Sequence, residues 1–208
     1  PIIMEKPSFY RKKPQTILIT GATSGIGTQI AIRFAQEKWN ILCHYCSSEE
    51  KAKALKEKII NFGVDCRLFK ADLSSRIQLS NLIGKLKRFK IDALINNAAS
   101  YVVSKDFTKL TLQDITDTFM INTFSPILLS AQIFMQMKEK RFGRIVNISS
   151  IAAKYGGSSR SLHYGCSKLA MEGLTRTLAK EGAFYNILAQ AISAINQDSI
   201  LEAAFRVY

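Results

Sequence analysis

Six short apolar runs alternate with stretches of helical periodicity along this 208-residue chain, and that alternation limits the possible folds more than any other feature. The predicted strands are Thr16–Thr20, Ile41–Tyr45, Asp65–Lys70, Ile91–Asn96, Arg144–Ile148 and Ile187–Ile192. Several are apolar at nearly every position, as expected of strands buried on both faces. Between them, a first helix carries the stripe Ile26, Ile30, Phe34, and others are predicted at Glu49–Phe62, Arg76–Phe89, Leu112–Thr123, Pro126–Lys140 and Tyr164–Glu181. Ser125–Pro126 is read as a break between two helices. The pattern predicts a single-domain α/β protein over residues 16–208: a doubly wound parallel sheet, right-handed crossovers, helices on both faces. Residues 1–15 read as a basic leader, with Met4 the expected native start and Pro1–Ile3 an addition.

Composition narrows the function. The apolar fraction is 47%, ordinary for a globular protein. No uninterrupted apolar run reaches the roughly 18 residues of a membrane span, and no signal-peptide pattern is present, so the expected location is cytoplasmic with no membrane partner. Cys43 and Cys46 form C-x-x-C, but positions three apart on a strand face opposite sides, and no second pair follows at zinc-ligand spacing. Unpaired structural thiols and no metal are expected. The net charge of +13 favours anionic partners. Without a basic motif interleaved with aromatics, nucleic acid is not expected among them.

In doubly wound sheets, ligands bind beyond the carboxyl ends of the strands. Directly after the first strand stands T-G-A-T-S-G-I-G, Thr20–Gly27. Gly21 would allow a tight turn, and Gly25 and Gly27 a close approach of pyrophosphate to backbone. The following helix would offer free N–H groups and the positive end of its dipole. This is a Rossmann-type dinucleotide site by context. At the end of the second strand, an acidic residue would bond the ribose of NAD. Here Tyr45 stands there, followed by Cys46, Ser47 and Ser48, with His44 near. No carboxylate would repel a 2′-phosphate, so NADP(H) is favoured over NAD(H).

A second constellation lies later. Tyr164 and Lys168 are four apart on a predicted helix and so share a face. A lysine ammonium beside a phenol lowers the phenol pKa, fitting it for general acid–base work. Upstream, a strand ends in N-I-S-S, Asn147–Ser150. A hydroxyl there would meet a substrate oxygen, Ser150 being the choice and Ser149 the alternative. Asn122, in M-I-N-T, could anchor a water near Lys168.

Thr20–Gly27, Asn96–Ala99, Asn122, Asn147–Ser150 and Tyr164–Lys168 together resemble the short-chain dehydrogenase/reductase family in order and spacing, from about Thr16 to Ile192. The resemblance implies an enzyme that moves a hydride between NAD(P)H and a carbonyl or alcohol. It implies a catalytic tetrad of Asn122, Ser150, Tyr164 and Lys168: Tyr164 transfers the proton, Ser150 polarises the carbonyl, Lys168 tunes the tyrosine and holds the ribose, and Asn122 supports a relay water. It implies cofactor contacts from Thr23, Ser24 and Ile26 beside the glycines. It adds Asp72 with Leu73 after the third strand and Asn97 with Ala98 after the fourth.

The chain departs from the family in two places. Thirteen residues separate Ser150 from Tyr164, one more than is usual, and the Gly- and Ser-rich stretch Lys154–Arg160 would absorb the extra one. The Pro-Gly expected after the sixth strand is absent, and the chain is shorter than a typical member. The expectation is a join across a lost substrate lid after Ser193. The general likeness is to 3-oxoacyl-acyl-carrier-protein reductases, in which an arginine matching Arg141 docks the acidic carrier. Lys138, Lys140, Arg141 and Arg144 would form a basic patch. A sugar, polyol or other alcohol substrate stays open, as does a non-catalytic nucleotide-binding scaffold. A homodimer or homotetramer is expected, built on the helices around Pro126–Lys140 and Tyr164–Glu181.

Overall fold

The computed structural model describes residues 14–103 and 106–193. β1 (Thr16–Ile19), β2 (Asn40–Tyr45), β3 (Cys66–Lys70), β4 (Ala93–Asn96), β5 (Gly143–Ile148) and β6 (Ile187–Ile192) form one sheet in the order β3-β2-β1-β4-β5-β6. Every pairing is parallel. The connections are α1 (Gly25–Gln36), α2 (Glu49–Ile60), α3 (Arg76–Leu86), α4 (Leu112–Phe119), α5 (Ser125–Glu139), α6 (Ala152–Tyr155) and α7 (Leu162–Gly182).

Strand residues alternate between two apolar layers. Ile17, Ile19, Ile41 and Ile95 pack with Ile30, Phe34, Leu55 and Ile59 of α1 and α2. Leu18, Leu42, Leu94 and Ile145 face the other way, toward Leu79 and Leu82 of α3, Ile133 and Met137 of α5 and Leu178 of α7. Both faces are therefore covered, which explains strands that read as unbroken apolar runs. Burial of each such side chain contributes roughly 1.5–3 kcal/mol. Strand order reverses between β1 and β4, which opens the crevice used by ligands in such sheets.

The expected break at Ser125–Pro126 is not found. Leu112–Glu139 is one continuous helical run, with a π turn at Met120–Phe124 joining α4 to α5. The π turn takes one extra residue, and Pro126 then falls in the first turn of α5, where a missing N–H costs least. The Ser125 backbone N–H and its hydroxyl both donate to the Met120 carbonyl, the hydroxyl at 2.7 Å. By length and composition this helix could cross a bilayer, but half of its most apolar window is buried within the fold.

Three small elements escaped the sequence reading, α6 and the 3-10 turns at Phe107–Lys109 and Ala183–Tyr185, because none is long enough to show a period. Most of the leader (1–13) and the stretch 194–208, where the lost lid was expected, lie outside the described residues.

Candidate active site

A cleft of about 570 Å³ lies beyond the carboxyl ends of the strands. The glycine turn contributes Gly21, Thr23, Ser24 and Ile26 to its wall. Cys46, Ser47 and Ser48 follow β2, Asp72 and Leu73 follow β3, and Asn97 and Ala98 follow β4. Ser149, Ser150, Tyr164 and Lys168 close the far end. Residues from six separate stretches of sequence thus meet in one crevice.

The turn is held from several sides. Gly21 has φ +64°, and a Cβ there would sit 2.9 Å from the Ala98 Cα, so only glycine meets both demands. The Thr20 hydroxyl accepts from the N–H groups of Asn97 (2.9 Å) and Ala98 (3.0 Å). The Asn97 amide donates to the carbonyls of Thr20 (2.9 Å) and Gly21 (3.0 Å) and to the Ser24 hydroxyl (3.2 Å). Its side chain is spent on the turn. Ser24 also caps α1 by accepting from the Gly27 N–H.

Two expectations at this end need correction. Gly25 and Gly27 do not line the cleft. A Cβ on Gly27 would run into the Gly21 carbonyl and Ala22, so its smallness serves the packing of helix on turn. Tyr45 is buried in the sheet, and its neighbours His44 and Cys46 line the cleft instead, as strand alternation demands. His44 is no cation for a phosphate. Its Nδ1 accepts from the Gly21 N–H (3.2 Å), and its Nε2 donates to the Ala71 carbonyl (3.0 Å). Burial pushes its pKa down to about 4, opposed by the bond to Ala71 and the Asp72 charge. It is a neutral strut between the glycine turn and the exit of β3.

At the catalytic end, Tyr164 and Lys168 project from one face of α7, with the Lys168 Nζ 5.7 Å from the tyrosine ring centroid. Lys168 is almost wholly buried and donates to the Ile148 carbonyl at 2.7 Å. Burial lowers its pKa to about 8. The Ser149 hydroxyl donates to Glu172 Oε1 (2.9 Å), whereas the Ser150 Oγ accepts from the Ala152 N–H (3.2 Å). Asn122 is fully buried and does not line the cleft. Its amide accepts from the Ser100 N–H (2.7 Å) and donates to the Ser100 carbonyl (2.9 Å) and the Ser167 hydroxyl (3.0 Å). That side chain is engaged with Ser100 and Ser167 rather than directed into the cleft.

The Thr20 hydroxyl and the His44 strut were missed. The polar residues of T-I-L-I-T and N-I-L-C-H-Y, placed inside otherwise apolar strands, were the available signal. Nothing in the sequence pointed to Tyr101, whose ring meets that of Tyr164 edge-on at 4.8 Å. Cys43 is buried 3.8 Å from Cys66 (Sγ to Sγ), and Cys46 is exposed, so the C-x-x-C is split as expected. Among the described residues no group of three His, Cys, Asp or Glu could hold a metal ion.

The sheet order, the glycine turn at its switch point and the tyrosine–lysine pair at the other end of the same cleft define a dinucleotide-dependent oxidoreductase. The short chain dehydrogenase family model matches residues 15–201. The 3-oxoacyl-[acyl-carrier-protein] reductase FabG of Staphylococcus epidermidis is 30% identical over 186 residues, covering 86% of this chain and 73% of that protein. An NAD+-bound xylitol dehydrogenase has a TM-score of 0.77 at 30% identity, over 86% of this chain and 69% of its own. A short-chain dehydrogenase from Sphingobium yanoikuyae in complex with NADPH has a TM-score of 0.79 at 30% identity, over 85% and 69%. The chain belongs to the short-chain dehydrogenase/reductase family, whose members bind NAD(P).

Proposed function

We propose that the chain reduces a carbonyl group, or oxidises the matching alcohol, with Tyr164 as acid and base. The observation that carries this reading is the single cleft shared by the glycine turn and the Tyr164–Lys168 pair. The cradle fits a dinucleotide: Gly21 leaves room a Cβ would fill, and α1 directs its N-terminus at the turn. Gly21, Thr23, Ser24 and Ile26 would hold the pyrophosphate, Ser47 and Ser48 the adenosine ribose, Asp72 and Leu73 the adenine. The backbone of Asn97–Ala98 and Lys168 would hold the nicotinamide ribose. When bound, the nicotinamide supplies or accepts the hydride.

The residues then divide the remaining work. Tyr164 gives its phenolic proton to the carbonyl oxygen, or takes one from the alcohol. The Lys168 ammonium stabilises the phenolate left behind. Ser150 donates a hydrogen bond to the same oxygen; Ser149 is the weaker choice because its hydroxyl proton goes to Glu172. Asn122 serves by its main chain. Four residues on stands Pro126, which has no N–H to offer that carbonyl. The carbonyl is left to accept from a relay water, while the amide holds Ser100 in place.

Among cofactors we favour NADP(H) over NAD(H), and among settings a cytoplasmic homodimer or homotetramer. Exposed Leu128 and Met135 on α5 and Leu162 and Leu169 on α7 support the oligomer. A 3-oxoacyl substrate on acyl carrier protein is the runner-up, favoured by the likeness to FabG and by the basic patch. Arg141 and Arg144 stand at the amino end of β5 and Ser150 just past its carboxyl end. Six strand residues span ~20 Å, so a carrier docked on the patch would serve another subunit's cleft. A panel of ketones and 3-oxoacyl thioesters, offered with NADPH and NADH and followed at the nicotinamide absorbance, tests the reading. Oxidation of cofactor by at least one carbonyl is expected. Silence across the panel, from protein that binds the cofactor, would refute it.

A further inference from the structure

A second cavity, also of about 570 Å³, opens beside the cofactor cleft and shares Ser150 and Tyr164 with it. The reacting groups therefore stand between two chambers: one built for the dinucleotide, the other left for the substituents of the substrate. Tyr101, Ile151, Ala152 and Tyr155 supply the apolar surface of the second chamber. These are unusual residues to leave in water. Tyr101 is 59% exposed, Tyr155 72% and Ile151 48%, and a cluster of exposed apolar side chains around a hollow marks a binding site.

The wall is also electrically plain. Among the described residues that line it there is no Asp, Glu, Lys, Arg or His. Lys154 does not line it; its Nζ lies 5.1 Å from the centroid of the Tyr155 ring. Apart from Ser150, the wall's serines are turned on themselves: the hydroxyls of Ser158 and Ser161 bond each other at 3.0 Å, Ser161 accepts from the Ser158 N–H, and Ser158 from the Arg160 N–H. A carboxylate or phosphate placed here would lose its water and gain no cation from the described residues of the wall, which is costly. An aromatic or branched apolar group would lose little and would meet two tyrosine rings.

We propose that the substrates are uncharged ketones, or their alcohols, bearing an aryl or bulky aliphatic group on the carbonyl carbon, and that Tyr101 and Tyr155 grip that group. The inference rests on the carbonyl-reducing reading above and names its substrate class. In the reduction, the carbonyl carbon gains a hydride from the reduced nicotinamide and the oxygen gains the Tyr164 proton. The C=O π bond breaks, the nicotinamide is oxidised, and solvent reprotonates the phenolate. Tyr101 has a second part as a positioning residue, since its ring packs on that of Tyr164.

The test compares kcat/KM of the full chain for acetophenone, acetone, pyruvate and 5-ketogluconate, with whichever of NADPH or NADH is consumed faster. Acetophenone is expected to exceed either acid by about 100-fold, the range one pocket contact and one stranded charge can produce. Tyr155→Ala is expected to raise the KM for acetophenone about tenfold. Tyr101→Leu is expected to raise the same KM and also to move the alkaline limb of the kcat profile for reduction, where the Tyr164 proton is lost, because its ring packs on that phenol. An acid turned over as well as acetophenone, or an unchanged acetophenone KM in Tyr155→Ala, would overturn the proposal and leave the carbonyl reading standing. No turnover of any carbonyl by cofactor-bound protein would instead take down both.

Discussion

The two ends of the cofactor cleft are built on different principles. At the glycine end, polar groups are mutually satisfied: Thr20, Asn97 and Ser24 bind the turn, and neutral His44 braces it from below. At the tyrosine end, the groups expected to do chemistry make few bonds to one another. Ser150 accepts only from a nearby backbone N–H, Lys168 leans on the Ile148 carbonyl, and the Tyr164 hydroxyl has no hydrogen bond with the described residues. One end is complete before any ligand arrives. The other keeps its donors for what binds, at the cost of a buried ammonium.

The sharpest way to break this division is to alter one residue at each end. Tyr164→Phe removes only the transferable proton. Turnover is expected to fall by ~10²–10⁴-fold, the usual worth of a positioned acid or base, with cofactor affinity unchanged by titration calorimetry. Gly21→Val should do the reverse. A β-branched residue at φ +64° is strained and would press on Ala98, so cofactor affinity and melting temperature are both expected to drop. If Tyr164→Phe weakened cofactor binding as much as Gly21→Val does, the ends would not be separable.

The buried titratable groups sharpen the contrast, because each end has one. Lys168 has a folded pKa near 8 against an ordinary 10.5, so between those values the unfolded chain holds the extra proton and stability rises with pH. The penalty is fully present below about pH 8 and amounts to about 3 kcal/mol. Lys168→Met should therefore flatten the stability curve between pH 8 and 10.5 in urea titrations of ligand-free protein. His44 has a folded pKa near 4 against 6.5. Here too the unfolded chain binds the proton first, so stability is lost as pH falls from 6.5 to 4, again by about 3 kcal/mol. His44→Gln, which cannot titrate, should lose that acid slope. Identical slopes in variant and parent at either end would mean the group is not desolvated as described.

The sequence disclosed the two ends unequally, for a physical reason. Glycines that must turn, a tyrosine and lysine on one helix face, and strands buried on both sides all leave local marks, so the fold and the cleft positions of Gly21, Tyr164 and Lys168 could be read directly, while Ser150 stayed open against Ser149. Bracing contacts leave none. His44 reaches Ala71 across 27 residues and Asn97 reaches Thr20 across 77, and no local pattern encodes such pairs. Pro126 misled because proline normally ends a helix, and a π turn absorbed it. Tyr45 was assigned to the ribose by its place at the strand end, and strand alternation turned it inward.

The smallest effect concerns cofactor choice, at the point where the glycine end meets solvent. Ser48 begins α2, yet its side chain makes no capping bond, and with Ser47 it faces the cleft. Two hydroxyls and the first N–H groups of a 12-residue helix suit a 2′-phosphate. Against this, Glu49 and Glu50 occupy the first turn. Glu49 is offset by ion pairs with Lys53 (3.1 Å) and Lys70 (3.3 Å), which also hold its carboxyl below the usual range. The balance is attractive but narrow, because exposed pairs of this kind are screened by solvent. NADPH is therefore expected to bind more tightly than NADH by less than about tenfold, or ~1.4 kcal/mol. Ser47→Ala with Ser48→Ala should erase that margin and leave NADH affinity as it was. Equal affinities in the parent, or a preference for NADH, would show that Glu49 and Glu50 govern this corner rather than the hydroxyls.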